Sequence, residues 1–85
     1  MKRVLTMMQR TLASDELSDF YDTARHRRAY FEAAGCRYWV FEQNTTPGAV
    51  IEFAEAPDAD TLAAALRAQA GDPFDGPIYS EVETR

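Results

Sequence analysis

The sequence of 85 residues has little of what several protein classes require. It contains one cysteine, so no disulfide can form within the chain, which argues against a small secreted scaffold. Every apolar run is far shorter than the ~20 residues of a membrane span. The N-terminal run is interrupted by Gln9 and Arg10, unlike that of a signal peptide. These absences predict a soluble, cytoplasmic protein that has no membrane contact.

Positive charge and histidine are also scarce. Nine Lys and Arg residues stand against fourteen Asp and Glu residues, giving a net charge of −5. Because nucleic-acid binding depends on clustered positive charge, we expect no nucleic-acid partner. The single histidine, His26, has no second histidine or cysteine at metal-ligand spacing. We therefore expect no metal site. His26 should be exposed, because helical spacing places it opposite the stripe of Leu17, Ala24 and Phe31.

The length of the chain predicts one domain over residues 1–85. Its hydrophobic fraction of 46% is ordinary for a globular protein and too high for a disordered one. A chain this short buries only about 60–65% of its unfolded surface, so its own core gives marginal stability. Additional stabilisation, such as assembly with a second copy, is therefore expected.

Apolar periodicity and turn residues predict six elements. Ser14 is the expected N-cap of the first helix and Asp58 that of the second, while Gly35 and Gly71 are expected to end them. The predicted elements are strand 4–9, helix 15–34, strand 36–43, strand 49–55, a helix from 59 to 70 and strand 78–83. The β-α-β-β-α-β order is that of a ferredoxin-like α+β fold, with two helices on one face of a four-stranded antiparallel sheet.

The residues expected to face the sheet follow from helical spacing. In the first helix they are Leu17, Phe20, Tyr21, Ala24 and Phe31, with Arg28 close to this stripe. In the second helix they are Leu62, Ala65, Leu66 and Gln69. The segment between the second helix and the last strand is expected to be a turn-rich link.

The hairpin "CRYWVFEQNTTPGAVIEFAEA" is apolar on both faces. Suppose that each residue of one hairpin strand pairs with the residue of the other strand for which the two numbers sum to 92. Because side chains alternate along a strand, they then form two sets on opposite faces of the sheet. We expect Trp39, Phe41, Ile51 and Phe53 beneath the helices. The opposite set is then uncovered: Val4, Thr6, Met8, Cys36, Tyr38, Val40, Glu42, Val50, Glu52 and Ala54. Monomers usually avoid such an exposed patch, so a homodimer through the open sheet face is predicted.

In element order, length and the hairpin "GCRYWVFE…PGAVIEFAEA", the chain resembles the dimeric α+β barrel superfamily, which includes the antibiotic biosynthesis monooxygenase-like domains. The resemblance implies a homodimer with a cleft for a small organic ligand. Family activities include cofactor-free oxygenation of aromatics, haem degradation and isomerisation. Haem-degrading members have a histidine on the second helix, and residues 61–71 contain none. No cofactor is therefore expected.

Glu52 is the candidate catalytic residue. It lies mid-strand among apolar neighbours, and a carboxylate removed from water binds its proton more tightly, which suits a general base. The alternative is that Glu52 pairs with an arginine across the dimer or points to water at the rim. A closed polar cavity of roughly 300 Å³ or more around it in the dimer would indicate a ligand site, whereas a solidly packed sheet-to-sheet interface with Glu52 ion-paired would indicate assembly alone.

The candidate ligand-binding residues are Tyr38, Thr6, Glu42 and Tyr79. For Tyr38 the alternative is packing in the interface, and for Glu42 it is solvation close to the turn. Cys36 is expected to be a small, partly buried thiol. We favour a small-molecule-binding or assembly module, and the alternative is a cofactor-independent, monooxygenase- or isomerase-like enzyme.

Overall fold

The computed structural model describes residues 3–69, 74 and 76–82. Its elements follow the predicted order: β1 Val4–Thr11, α1 Leu17–Ala33, β2 Arg37–Glu42, β3 Ala49–Ala56, α2 Ala59–Arg67 and β4 Ile78–Ser80. The four strands form an antiparallel sheet in the order β2-β3-β1-β4. The structure therefore confirms a ferredoxin-like α+β architecture.

The ends of α1 show one incorrect and one correct prediction. The N-cap is Glu16 rather than Ser14, and the Glu16 carboxylate accepts a hydrogen bond from the Ala13 N–H at 2.7 Å. Gly35 ends the helix with a φ of +84°, as predicted. The Cys36 N–H donates to the Phe31 carbonyl and the Gly35 N–H to that of Glu32, which is the Schellman arrangement.

Helix α2 begins at its predicted cap. The Asp58 carboxylate accepts the Thr61 N–H at 2.8 Å, and hydrogen bonding to Thr61 lowers the pKa of Asp58. The helix ends at Arg67, so Gln69 lies beyond it, and Gly71 lies outside the described residues. The Gln69 amide bonds both the N–H and the carbonyl of Phe74, at 2.8 Å each. Phe74, predicted to lie in a link, is thereby held in the core.

The predicted strand register is correct, whereas the predicted facing is reversed. Trp39 pairs with Phe53 and Val40 with Glu52, so the paired positions sum to 92. The helices nevertheless cover the even-numbered side chains of β2 and β3. The stacking of Phe31 of α1 on Tyr38 of β2 shows this facing. The side chains predicted to lie beneath the helices are on the open face: Trp39, Phe41, Ile51 and Phe53.

Side-chain size gives a physical reason for this facing. Large groups from outside the sheet, including Phe31, Leu62 and Phe74, already fill the space under the helices. The sheet meets them with small residues such as Ala54 and Ala56, which let the helices approach closely. Tyr21, predicted to lie on the inner stripe, is 42% exposed. The face of α1 that packs against the sheet is the neighbouring one.

The β2–β3 turn requires glycine at position 48. Gly48 has a φ of +86°, and a side-chain carbon there would lie 2.1 Å from the Leu12 carbonyl oxygen. The Leu12 N–H donates to the Gly48 carbonyl at 2.8 Å. Glycine therefore lets the turn approach the end of β1.

Candidate functional site

The helix-covered face is centred on the carboxylate of Glu52, which is fully buried in the middle of β3. Oε1 accepts hydrogen bonds from Arg27 Nη1 at 2.5 Å and from the Tyr38 hydroxyl at 2.6 Å. Oε2 accepts one from Arg10 Nε at 2.8 Å. We call these four residues the Glu52 network. It joins β1, α1, β2 and β3.

Arg27 comes from the inner side of α1. Phe20, Ala24, Arg27 and Phe31 are spaced by four, three and four residues, so they share one helical face. The Arg27 guanidinium lies 5.9 Å from the centre of the Phe74 ring, a cation–π distance. Arg28, expected close to this stripe, is exposed, and its Nε lies 3.7 Å from a carboxylate oxygen of Glu32.

Arg10 was missed because β1 is longer than predicted. The strand runs to Thr11 instead of ending at Gln9, and alternation then places Arg10 on the same face as Thr6 and Met8. Arg10 and Glu52 have opposite charges and fall on the same face of two strands. This combination is the sequence signal that could have identified the pair. Arg10 pairs with Val50 in the ladder, two pairs away from the Met8–Glu52 pair.

The Glu52 network is a closed ion-pair cluster. A buried carboxylate is stable when several donors replace its lost hydration, and here three donors do so. A general base needs an oxygen that a substrate proton can approach, whereas both Glu52 oxygens already accept hydrogen bonds inside the core. Of the two predicted alternatives, pairing with arginine is observed, but within one chain rather than across a dimer.

Tyr38 belongs to the same cluster. Its ring is buried and stacks on Phe31, with ring centres 5.8 Å apart. Burial, together with the hydrogen bond to Glu52, raises the pKa of the Tyr38 hydroxyl well above its ordinary value of 10.0. Tyr38 therefore donates a proton to the network and holds it firmly.

This raised pKa predicts a loss of stability in alkali. The folded protein binds the Tyr38 proton more tightly than the unfolded chain, so the contribution is complete below pH 10.0 and declines above it. At pH 11 the loss should be about 1.4 kcal/mol relative to pH 9. Urea unfolding at both pH values should show that Tyr38→Phe lacks this part of the decline. An equal decline in the wild-type protein and in Tyr38→Phe would contradict the raised pKa of Tyr38.

The other candidate ligand-binding residues lie apart from this cluster. Thr6 is fully buried beneath the helices, and within the described residues its hydroxyl has no hydrogen-bond partner. Glu42 is exposed, and its carboxylate accepts the Gly48 N–H at 2.9 Å, which supports the turn. Tyr79 is 51% exposed and shares the open face with Leu5, its partner in the ladder. The structure therefore joins only Tyr38 to Glu52.

Cys36 and His26 occupy structural positions. Cys36 is buried, and burial raises the pKa of its thiol. His26 is exposed, as predicted, with Nδ1 2.9 Å from the Asp22 carbonyl oxygen. In the part of the chain that the structure describes, no group of three or more His, Cys, Asp or Glu side chains is arranged to hold a metal ion.

The open face of the sheet carries an apolar surface. We call its apolar centre the open-face belt, comprising Leu5, Met7, Trp39, Phe41, Ile51, Phe53 and Tyr79. Phe41 is 55% exposed and meets Phe53 edge to face at 5.9 Å. At one end of the belt lies a charged rim of Arg3, Arg37, Glu55 and Glu81, in which Arg3 lies 3.2 Å from both glutamates.

Comparison of the chain with family models, with curated proteins and with solved structures gives no significant match. Neither α1 nor α2, the helices of the described residues, has the length and apolar character needed to cross a membrane.

Proposed function

We propose that the protein is a non-catalytic assembly module that forms a homodimer by packing the open-face belts of two copies against each other. The observation that carries the proposal is the belt itself. It places four aromatic side chains, those of Trp39, Phe41, Phe53 and Tyr79, on a sheet face on which neither described helix lies. Isolated monomers seldom expose a continuous apolar patch of this kind.

The size of the face supports a second copy as the occupant. Strands of eight, six, eight and three residues, rising about 3.3 Å per residue and lying about 4.8 Å apart, give a flat area of roughly 400 Å². Protruding side chains such as Phe41 and Tyr79 increase the accessible surface above that value. A standard interface buries about 800 Å² per partner, so one sheet covering another is of the required order.

The charged rim also suits self-association. It contains two arginines and two glutamates, so it presents both signs of charge. In a two-fold symmetric interface the same patch meets itself, and a patch with both signs can place each arginine near a glutamate of the other copy. An apolar centre with a polar rim is the usual organisation of an interface.

Catalysis at Glu52 has less support. The proposed base is buried, its oxygens accept hydrogen bonds from two arginines and a tyrosine, and its side chain points away from the open face. These contacts leave little room for a substrate proton to approach either oxygen. We therefore favour assembly over the enzyme alternative.

Sedimentation equilibrium at micromolar concentration tests the proposal. The wild-type chain should be dimeric, and Ile51→Glu should weaken association by at least about 100-fold, because a carboxylate would be buried without a partner in the centre of the belt. Phe41→Lys, on the edge strand, should act in the same direction. Ala29→Glu adds the same charge on the exposed side of α1 and should leave the dimer intact.

Circular dichroism confirms that each variant is folded before its mass is measured. A wild-type chain that sediments as a monomer at micromolar concentration would contradict the proposal. So would a dimer that Ile51→Glu and Ala29→Glu affect equally, because that dimer would use another surface.

A further inference from the structure

Strand β2 forms one edge of the sheet. It lies outside β3, and within the described residues no strand lies beyond it. The Gln43 N–H donates to the Ala49 carbonyl at 2.9 Å and continues the β2–β3 register, so the odd-numbered residues of β2 bond to β3. Because backbone groups alternate in direction along a strand, the N–H and C=O groups of Tyr38, Val40 and Glu42 point outward from the sheet.

This edge has few of the features that usually prevent pairing with another chain. It is six residues long, about 20 Å, whereas β4 at the opposite edge has three residues. It contains no proline, glycine or lysine, and its register with β3 is continuous, without a bulge. Residues 38–41 are aromatic or β-branched, which favours extended backbone. The β2 edge is therefore a suitable template for one more strand.

A groove of about 350 Å³ runs along this edge beside α1. Residues 38–41 of β2 line it, although alternation turns the odd-numbered side chains to the open face and the even-numbered ones beneath α1. A groove that contacts residues of both faces follows the backbone edge between them. Helix α1 forms its other wall with Tyr21, Ala24, Arg25 and Arg28. A strand added to β2 would lie in this groove, next to the helix.

The charged side chains that line the groove are both positive. Arg25 and Arg28 are three residues apart, so they lie on the same side of α1. Arg25 donates to Asp22, and Arg28 Nε lies 3.7 Å from a carboxylate oxygen of Glu32, beyond ordinary hydrogen-bond distance. Exposed ion pairs of this kind are weak, so the carboxylates of a bound segment can compete for both guanidinium groups.

From these features we infer that the β2 edge and the flank of α1 form a docking groove for an extended acidic segment of another protein. The segment pairs antiparallel with β2 through the three outward-pointing residues. Residues opposite each other share a face, so its alternate acidic side chains lie on the α1 side and meet the two arginines. The residues between them are apolar and continue the open-face belt at its edge. This is recognition by β-strand addition.

A second copy of the chain fits the edge less well. In a two-fold symmetric pairing of β2 with β2, the flank that carries Arg25 and Arg28 meets the same flank of the other copy. Like charges brought together at an interface repel, whereas an acidic segment supplies the opposite charge. The inference does not rest on the proposed dimer, because belts that pack face to face leave the strand edges uncovered.

The test uses the folded protein and the synthetic peptide acetyl-TVEVEVT-amide, with acetyl-TVKVKVT-amide as the control of opposite charge. On saturation with the glutamate peptide, amide hydrogen exchange should slow by about tenfold or more at Tyr38, Val40 and Glu42. Trp39 and Phe41, which already bond to β3, should change little. The lysine peptide should bind at least about tenfold more weakly. No saturable binding of the glutamate peptide up to about 5 mM would overturn the inference.

Methylated peptides separate backbone pairing from simple attraction of charge. In the antiparallel arrangement the glutamate N–H groups of the peptide point toward β2, and the valine N–H groups point away from it. Methylation of both glutamate nitrogens should therefore abolish binding, whereas methylation of two valine nitrogens should change the affinity by less than about threefold. Equal effects of the two methylations would show that no strand is added and would overturn the inference.

Two arginine variants test the contribution of the α1 flank. Arg28→Gln should weaken binding of the glutamate peptide by about fivefold, because it removes one of the two guanidinium groups in the groove. Arg67→Gln makes the same change at an exposed position of α2 that does not line the groove, and should alter the affinity by less than about twofold. Equal effects of the two substitutions would contradict the inferred site.

The Ile51→Glu protein distinguishes this site from the belt. Ile51 does not line the groove, so the variant should bind the glutamate peptide within about threefold of the wild-type affinity. Loss of binding in the folded variant would place the peptide on the open-face belt and overturn the inference. Slower exchange of the edge amides at higher concentration of this variant without peptide would also overturn it, because a second copy would then occupy the edge.

Discussion

Glu52→Gln should lower the free energy of unfolding by about 3–5 kcal/mol. The amide keeps the size of the side chain but removes the negative charge that the guanidinium groups of Arg10 and Arg27 contact in the core. Domains of this size have stabilities of about 5–10 kcal/mol, so the variant should retain only a small part of the original stability. Chemical denaturation at fixed protein concentration measures the difference, because the proposed dimer would make stability depend on concentration.

Glu32→Gln is the matched control for this substitution. It makes the same chemical change on α1, at an exposed carboxylate that lies 3.7 Å from Arg28. Exposed pairs of this kind contribute about 0–1 kcal/mol, so the control should resemble the wild-type protein. If Glu52→Gln also lost less than about 1 kcal/mol, the carboxylate could not be the centre of the network described above.

Phe31→Ala should have an effect of similar size, about 3–5 kcal/mol, through a different mechanism. Phe31 is fully buried and contacts the rings of Tyr30, Tyr38 and Phe74, with centre-to-centre distances of 5.2, 5.8 and 5.9 Å. Removing its ring leaves a cavity at the point where α1, β2 and Phe74 meet. Thermal or urea unfolding followed by circular dichroism measures the loss.

Tyr21→Ala removes an aromatic ring from the same helix, at a position that is 42% exposed. It should cost less than about 1 kcal/mol, because little new cavity forms at a partly solvated site. Equal losses for Phe31→Ala and Tyr21→Ala would show that the aromatic cluster is not the centre of the core.

The element order and the strand register could be predicted from the sequence because they depend on local signals. Gly35 and Asp58 mark helix ends through backbone conformation and capping, which neighbouring residues determine. The length of the hairpin connection determines which residues of the two strands face each other, and the predicted Trp39–Phe53 pair is observed.

The face that the helices cover could not be predicted in the same way. Trp39 and Phe53 were expected beneath the helices because their side of the hairpin is wholly apolar, but burial depends on the volume that the helices and Phe74 supply. Phe74 supplies part of that volume from a segment without helical or strand periodicity. Local patterns along β2 and β3 contain no information about it.

The candidate site was predicted in part. Glu52 and Tyr38 stood out as polar groups in apolar strands, and the structure joins them by a hydrogen bond of 2.6 Å. Arg27 was not predicted, because an arginine on an apolar helical stripe resembles one whose charged end reaches solvent. Only the three-dimensional arrangement shows that its partner lies 25 residues away.

The Glu52 network has a consequence for how the chain avoids misfolding. A hairpin with apolar residues on both faces could bury either face, and a slip of one residue in pairing would exchange them. In that alternative the carboxylate would turn outward and leave the arginine of α1 inside without its counter-charge. Charge, rather than hydrophobicity, therefore selects one of two competing arrangements and gives the sheet a defined inner and outer side.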